Sequence, residues 1–127
     1  MAAAMVGGPA LAHDRASDAE EFRAYVQVCQ ANPDERGLEG CIADQVDSKV
    51  NYLGDILSET AGGLTPKQQT LLDASQAAFE TYREAACGYH VAVATGEDRR
   101  AQMFCLLRLT NQRIADVLEG ADYLAEE

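Results

Sequence analysis

Four cysteines lie in two pairs, and each pair flanks a segment that interrupts a helical pattern. Cys87 and Cys105 lie nine positions before and after Gly96, and Cys29 and Cys41 lie six positions before and after Glu35, which belongs to the segment ANPDERG. Antiparallel helices bring residues equidistant from their turn together, so each pair can reach the Cα separation of about 5.5 Å that a disulfide requires. The spacing therefore predicts the bridges Cys29–Cys41 and Cys87–Cys105, each stabilising the fold by about 3 kcal/mol on the chain-entropy model.

Zinc binding is the alternative for the second pair. His90 lies three residues after Cys87, on roughly the same helical face, so Cys87, His90 and Cys105 can supply three ligands. The sequence contains no CxxC or HxxxH pair, however, and exported thiols usually oxidise. We therefore expect disulfides, with no metal and no cofactor, and we expect His90 to lie near the last carbonyls of its helix.

Apolar residues recur at spacings of three and four along four segments, and no stretch alternates for long with a period of two. Helix starts are predicted at the S-x-x-E motif of Ser17 and at Thr65-Pro66-Lys67-Gln68, where Thr65 and Gln68 can form a capping box. The expected fold is all-α: a small bundle of about four helices, arranged as two antiparallel hairpins, each stapled by a disulfide.

The same periodicity predicts which positions of three helices share an apolar stripe. In the third helix, Leu72 and Phe79 are expected to widen that stripe. The predicted stripes are Ile42, Val46, Val50, Leu53 and Leu57 in the second helix, Leu71, Ser75, Ala78, Tyr82, Ala86 and Tyr89 in the third, and Met103, Leu107, Thr110, Ile114 and Val117 in the fourth.

The charge balance restricts the partners. Ten Lys and Arg stand against 21 Asp and Glu, a net charge of −11 at pH 7. Such a surface repels nucleic acid and anionic membranes but attracts a basic protein. Although 47% of the residues are hydrophobic, no segment approaches the roughly 18 consecutive apolar residues that span a bilayer.

The two ends of the chain differ from its middle. Residues 1–12, MAAAMVGGPALA, are small and apolar and end in A-x-A, so we expect the remnant of a signal peptide. Residues 121–127 are interpreted as an acidic tail. Together with the cysteine pairs, the leader predicts a periplasmic or secreted protein.

The sequence contains no catalytic constellation. His13 lies in the predicted leader, where no acid–base system can be built around it. No serine occupies a G-x-S-x-G elbow, and Gly62-Gly63 lacks the remainder of a phosphate-binding loop. The chain is therefore predicted not to be an enzyme.

Several segments resemble the LprI-like lysozyme inhibitor family. SQAAFETYREAAC, residues 75–87, is similar to that family's Q-x-x-W-x-x-[YF]-R-[DE]-x-x-C, and FCLLRLTNQRIADVL, residues 104–118, is similar to C-x-x-x-L-T-x-x-R-x-x-x-L. LTPKQ, residues 64–68, matches the family's entry to the long helix, and two N-terminal cysteines twelve apart also match. Phe79 stands where the family usually has Trp. The motif positions carried over are Gln76, Phe79, Tyr82, Arg83, Leu109, Thr110 and Arg113.

The resemblance implies that residues 13–120 form an LprI-like helical domain that inhibits host lysozyme. Because lysozyme is basic, we expect the acidic chain to be steered to it and to block its glycan-cleaving cleft. Exposed, polar, helix-joining turns are the expected contact surface. The residues predicted to bind the partner are Glu59, Thr60, Glu97 and Asp98.

The alternative is a structural or stress-related accessory module of the envelope that does not inhibit lysozyme. Such a module needs an exposed apolar stripe, for which Tyr89, Val91 and Val93 are the candidates.

Arg83 and Arg113 are expected to fix the register of their helices by pairing with carboxylates, rather than to bind a partner. The candidate carboxylates are Glu80, Asp116 and Glu119.

Overall fold

The computed structural model describes residues 15–33, 35–94 and 98–125, and its four helices account for nearly all of them. They are α1 (Arg15–Ala31), α2 (Gly37–Ala61), α3 (Pro66–Val93) and α4 (Asp98–Ala125). No strand occurs within the described ranges, which confirms the all-α prediction. None of the four helices, as far as the structure describes them, combines the length and apolarity needed to cross a membrane. The predicted leader lies outside the described residues.

The two predicted hairpins are confirmed, and α4 lies at the centre of the molecule. α4 packs against all three other helices, most extensively against α2 and then α3, while α1 packs against both α2 and α4. Cys29–Cys41 joins α1 to α2 with a Cα separation of 5.7 Å, and Cys87–Cys105 joins α3 to α4 at 5.6 Å. Both predicted disulfides are therefore present.

Two helix starts depend on particular residues. Gly37, the first residue of α2, has a φ of 81°, a conformation that glycine adopts without steric cost. At the start of α3, the Thr65 hydroxyl accepts from the Gln68 N–H at 3.2 Å and the Gln68 side chain accepts from the Thr65 N–H at 2.9 Å. This confirms the predicted capping box. The start predicted at Ser17 is wrong, because α1 is already helical at Arg15.

The core lies mainly between α2 and α4. All five positions predicted for the α4 stripe are buried, and Ile42 and Leu107 are fully excluded from solvent. Around those two residues pack Val46, Met103 and the Cys29–Cys41 bridge. A second apolar cluster, further along α2 and α4, consists of Leu53, Ile56, Ile114 and Val117. These contacts make α2 and α4 the rigid frame on which the other helices rest.

The predicted apolar stripe of α3 is only partly buried. Leu71, Tyr82 and Tyr89 expose 61%, 60% and 65% of their surface, whereas Leu72, Phe79 and Ala86 are half-buried. Cys87 is the buried residue of α3, and Phe79 packs partly against it. The physical reason is that α3 has apolar residues on two faces and the disulfide decides which one meets α4.

The C-terminal segment is more regular than its composition suggests. α4 continues to Ala125, so residues 121–125 of the proposed acidic tail are helical. Val117 of this helix is buried against α2, whereas Tyr123 is exposed and donates a hydrogen bond to Glu119 at 3.1 Å. The last turns of α4 thus project beyond its most buried contacts.

Candidate functional site

Arg113 forms a polar junction between α3 and α4. Its guanidinium donates to Gln76 Oε1 at 2.8 Å and to Ser75 Oγ at 2.7 Å, both on α3, and to Asp116 Oδ2 at 2.9 Å on α4. Arg113 is only 7% exposed. The planar guanidinium satisfies three acceptors at once, so it fixes the register of the two helices. The expected pairing of Arg113 with Asp116 is present.

Phe79 lies beside two guanidinium groups. The Cζ atoms of Arg83 and Arg113 are 5.5 and 5.7 Å from the centroid of its ring. Both distances fall within the range of about 6 Å over which a cation is attracted to an aromatic face. Among the described residues, Arg83 contacts this ring and forms no ion pair with the carboxylates expected from the sequence.

A second polar network joins α1, α2 and α4. The side-chain amide of Asn111 donates to Asp18 Oδ1 at 2.9 Å and to Glu21 Oε1 at 3.0 Å. Lys49 Nζ lies 2.9 Å from Glu21 Oε2, and Tyr25 donates a hydrogen bond to the same carboxylate. The sequence analysis missed this network, because nothing in the local pattern distinguishes these residues from ordinary helix-surface residues.

The network shifts the pKa values of two of its members. Burial alone raises the pKa of Glu21, but hydrogen bonds from Tyr25, Lys49 and Asn111, together with the positive charge of Lys49, lower it further than burial raises it. The pKa of Glu21 is therefore below its usual value. Burial, the hydrogen bond to Glu21 and the charge of that carboxylate all raise the pKa of Tyr25. The network holds one carboxylate ionised and one phenol protonated.

Metal coordination by the second cysteine pair is not supported. Cys87 and Cys105 are joined to each other, so neither offers a thiolate. His90 lies with Nε2 3.3 Å from a guanidinium nitrogen of Arg108. Within the ranges that the structure describes, no group of three or more His, Cys, Asp or Glu side chains is arranged to hold a metal ion.

The predicted partner-binding residues whose backbone the structure describes, Glu59, Thr60 and Asp98, lie near opposite ends of α3. Glu59 is exposed and Thr60 half-buried in the last turn of α2, next to the α2–α3 turn. Asp98 begins α4, and its side chain, like Glu97, lies outside the described residues. α3 separates the two sites by its whole length of 28 residues, about 42 Å. A single compact partner surface can therefore include Glu59 and Thr60 or the turn that precedes Arg99, but not both.

Charge is distributed unequally along the molecule. We call the part formed by residues 52–80 and 112–125, around the α2–α3 turn, the acidic end. It has seven carboxylates and two cations, a formal charge of −5. Residues 16–33, 35–51, 81–94 and 99–111 have eight carboxylates and seven cations, a formal charge of −1. The carboxylates of the acidic end are Asp55, Glu59, Asp73, Glu80, Asp116, Glu119 and Asp122, and its cations are Lys67 and Arg113.

Helix dipoles add to the negative potential of the acidic end. The C-termini of α2 and α4 both lie there, and each carries the partial negative charge of a helix C-terminus. Neither helix has a basic residue in its last turn to offset that charge. The N-terminus of α3, which carries a partial positive charge, lies at the same end. It offsets part of the negative potential of the two C-termini.

A shallow groove connects the α2–α3 turn with the Arg113 junction. Its volume is about 290 Å³, and its walls come from the end of α2, the start of α3 and α4. Thr60 and Leu64 lie at one end of the groove, and Ser75, Arg113 and Asp116 lie at the other. The groove therefore connects Thr60, a predicted partner-binding residue, with the motif residue Arg113, which is far away in sequence.

Comparison with known families decides what kind of protein this is. A family described as lysozyme inhibitor LprI matches residues 29–117, well over half of the chain. The chain belongs to the LprI family. The match begins at the first cysteine of the Cys29–Cys41 bridge and ends at Val117 in the core of α4. Neither the comparison with curated proteins nor that with solved structures finds a match.

The structure brings together four of the motif residues that link this chain to the LprI family. Gln76, Phe79, Arg83 and Arg113 meet at the α3–α4 junction. Leu109 and Thr110 lie in the core, with exposures of 2% and 0%. Tyr82 differs from the rest because it faces solvent. In this LprI chain the motif therefore consists largely of residues that hold α3 on α4.

Proposed function

We propose that this protein inhibits a basic lysozyme and binds it with the acidic end. The observation that carries the proposal is the charge of −5 on the acidic end against −1 on the remaining described segments. Membership of the LprI family supplies the class of partner. The charge supports a basic partner, because a cationic enzyme is attracted to the most negative part of the surface.

Electrostatic steering orients the encounter. The field of the acidic end combines exposed carboxylates with the C-terminal dipoles of α2 and α4, so it extends beyond the individual side chains. At physiological ionic strength this attraction acts over about 8 Å, which makes the association rate dependent on salt. Asp98, by contrast, is followed by Arg99 and Arg100, which weaken the attraction of that turn for a cationic enzyme.

The α2–α3 turn is well braced for binding. The side-chain amide of Gln69 donates to the carbonyl oxygens of Ala61 and Leu64 at 2.9 and 3.2 Å, and the Thr65 capping box fixes the start of α3. A turn held in this way loses little conformational entropy when a partner binds. Glu59, at the edge of the turn, is therefore the carboxylate we expect to contact lysozyme, and Thr60 borders the same surface.

Inhibition by occlusion of the glycan-cleaving cleft is the mechanism we propose. The tip of the acidic end consists of the α2–α3 turn and three helix ends. A projecting surface of that kind can enter a concave site and exclude the glycan without chemistry of its own. The proposal needs no catalytic residue and places the protein where it meets host lysozyme, in the periplasm or outside the cell, where its two disulfides persist.

A lytic assay tests the proposal. Purified mature protein is mixed with a c-type lysozyme and cell-wall substrate at low and at moderate salt. We expect slower lysis at low salt and weaker inhibition as salt rises. Unchanged lysis at low salt, with the protein in large molar excess, would show that the inhibitor assignment is wrong for this chain.

One observation favours the envelope-module alternative. Tyr89 and Val93 are 65% and 57% exposed, while Val91 is half-buried, so α3 has part of the exposed apolar surface that such a module needs. An accessory role would leave lysozyme activity unchanged. The lytic assay therefore separates the two functions.

A further inference from the structure

One face of α3 has the spacing of a coiled-coil seam. Its residues follow one another at intervals of four, three, four, three, four and three positions, and every one of them is exposed. Intervals of this kind place knobs along one side of a helix for packing against a second helix. We call this face the α3 stripe; it consists of Leu71, Ser75, Ala78, Tyr82, Ala85, Tyr89 and Ala92.

The residues that form the α3 stripe and its two flanks are all uncharged. The charged residues of α3 beyond its first turn, such as Asp73, Glu80 and Glu84, lie on other faces. In a chain with a net charge of −11, an exposed helix face without charge over about 32 Å differs from an ordinary solvated face. The flanking positions are Leu72, Phe79, Ala86 and Val93 on one side and Ala74, Thr81 and Gly88 on the other.

We propose that the α3 stripe pairs with the α3 stripe of a second copy of this chain, antiparallel, about a two-fold axis at Tyr82. In that register, the large side chains meet small ones. Leu71 lies opposite Ala92, and Tyr89 lies opposite Ser75, while Ala78 and Ala85 leave room for the two Tyr82 rings at the axis. An isologous contact of this kind needs a self-complementary surface, and the order of large and small residues provides it.

The antiparallel direction also suits the charge distribution. It places the two acidic ends, each of charge −5, at opposite ends of the pair, and sets each beside the partner's less charged end. A parallel pair would bring the two acidic ends together, where like charges repel. The pairing uses Leu71, Ser75 and Ala78 of each acidic end but none of its carboxylates, so it does not depend on lysozyme binding.

The length of the α3 stripe limits how strongly two copies of the chain can associate. A contact about 32 Å long and one helix diameter wide buries roughly 700 Å² in total, less than a stable interface requires. The dimer is therefore expected to be weak and to form as the protein concentration rises.

Sedimentation equilibrium of the full chain, from micromolar to millimolar concentration, tests the pairing. We expect a reversible monomer–dimer equilibrium for the wild type. Tyr82→Glu places two carboxylates at the axis and should lower the association constant at least about tenfold. Ala77→Glu adds the same negative charge at an exposed position away from the α3 stripe and should leave the association constant unchanged. A chain that stays monomeric at millimolar concentration, or equal weakening by both variants, would overturn the proposal.

Cross-linking with a short bismaleimide tests the register. Tyr82→Cys places two thiols at the axis and should give covalent dimers at concentrations where the wild type associates. Leu71→Cys places them about 30 Å apart and should not. Circular dichroism confirms that each exposed substitution leaves the helices intact. Efficient cross-linking through position 71 would overturn the antiparallel register.

Discussion

At the scale of single residues, the sequence offers Asp116 as one of three candidate carboxylates for Arg113, but it does not indicate the other partners of that guanidinium. Asp116 is three positions away on the same helix, where proximity follows from helix geometry. Gln76 and Ser75 are 37 and 38 positions away, and only the packing of α3 on α4 brings them to the guanidinium. Gln76 was singled out by resemblance alone, and Ser75 only as part of an apolar stripe.

Removing Arg113 should destabilise the protein more than removing Arg83. Arg113→Ala deprives Gln76 and Ser75 of a donor and leaves a void, so we expect a loss of about 2–3 kcal/mol and a Tm lower by several degrees. Arg83→Ala removes a half-buried side chain that contacts the Phe79 ring, for a loss of about 0.5–1 kcal/mol. Thermal unfolding measures both; equal losses would contradict the register role of Arg113.

Glu21 should make stability depend on pH. Because its pKa is lower in the folded state, the unfolded chain binds more protons as pH falls below about 4.5. The stabilisation is therefore complete above that pH and is lost as pH falls through the folded pKa. Glu21→Gln should reduce the difference in urea midpoint between pH 7 and pH 3.5. Glu20→Gln, at an exposed neighbour, should preserve it; an equal reduction by both would count against the network.

At the scale of elements, all four helices follow from sequence patterns, but the orientation of α3 does not. α3 has apolar residues on two faces, and periodicity identifies both without ranking them. Cys87 is the signal that separates them, because the disulfide requires it to face α4. Phe79, eight positions earlier, lies on roughly the same side, whereas Tyr82 and Tyr89 do not. Tertiary packing, which a local pattern does not encode, selects the face that is buried.

The local stability of α3 should depend on Cys87–Cys105 more than the local stability of α1 depends on Cys29–Cys41. α3 packs mainly on α4, whereas α1 packs on both α2 and α4. Replacing Cys87 and Cys105 by Ala removes about 3 kcal/mol on the chain-entropy model, and we expect amide hydrogen exchange to rise most in α3. The matched control, Cys29→Ala with Cys41→Ala, should leave α3 protected. Uniform acceleration of exchange across all helices in both variants would contradict this view.

At the scale of the whole molecule, net charge is visible in the sequence but its distribution is not. The value of −11 already predicted a basic partner. Only the antiparallel arrangement shows that the ends of α2 and α4 and the start of α3 gather five of the six net negative charges of the described segments at one end. That arrangement favours the turn beside Glu59 over the turn that precedes Arg99, although both turns look equally polar in the sequence.

The most direct test is the rate at which the protein associates with a c-type lysozyme, measured against ionic strength for three proteins. Asp55→Lys with Glu59→Lys and, as control, Asp47→Lys with Glu84→Lys each change the net charge from −11 to −7 at exposed positions. We predict that the first pair slows association strongly and flattens its salt dependence, while the control pair has a much smaller effect. Equal slowing by the two pairs would contradict binding through the acidic end.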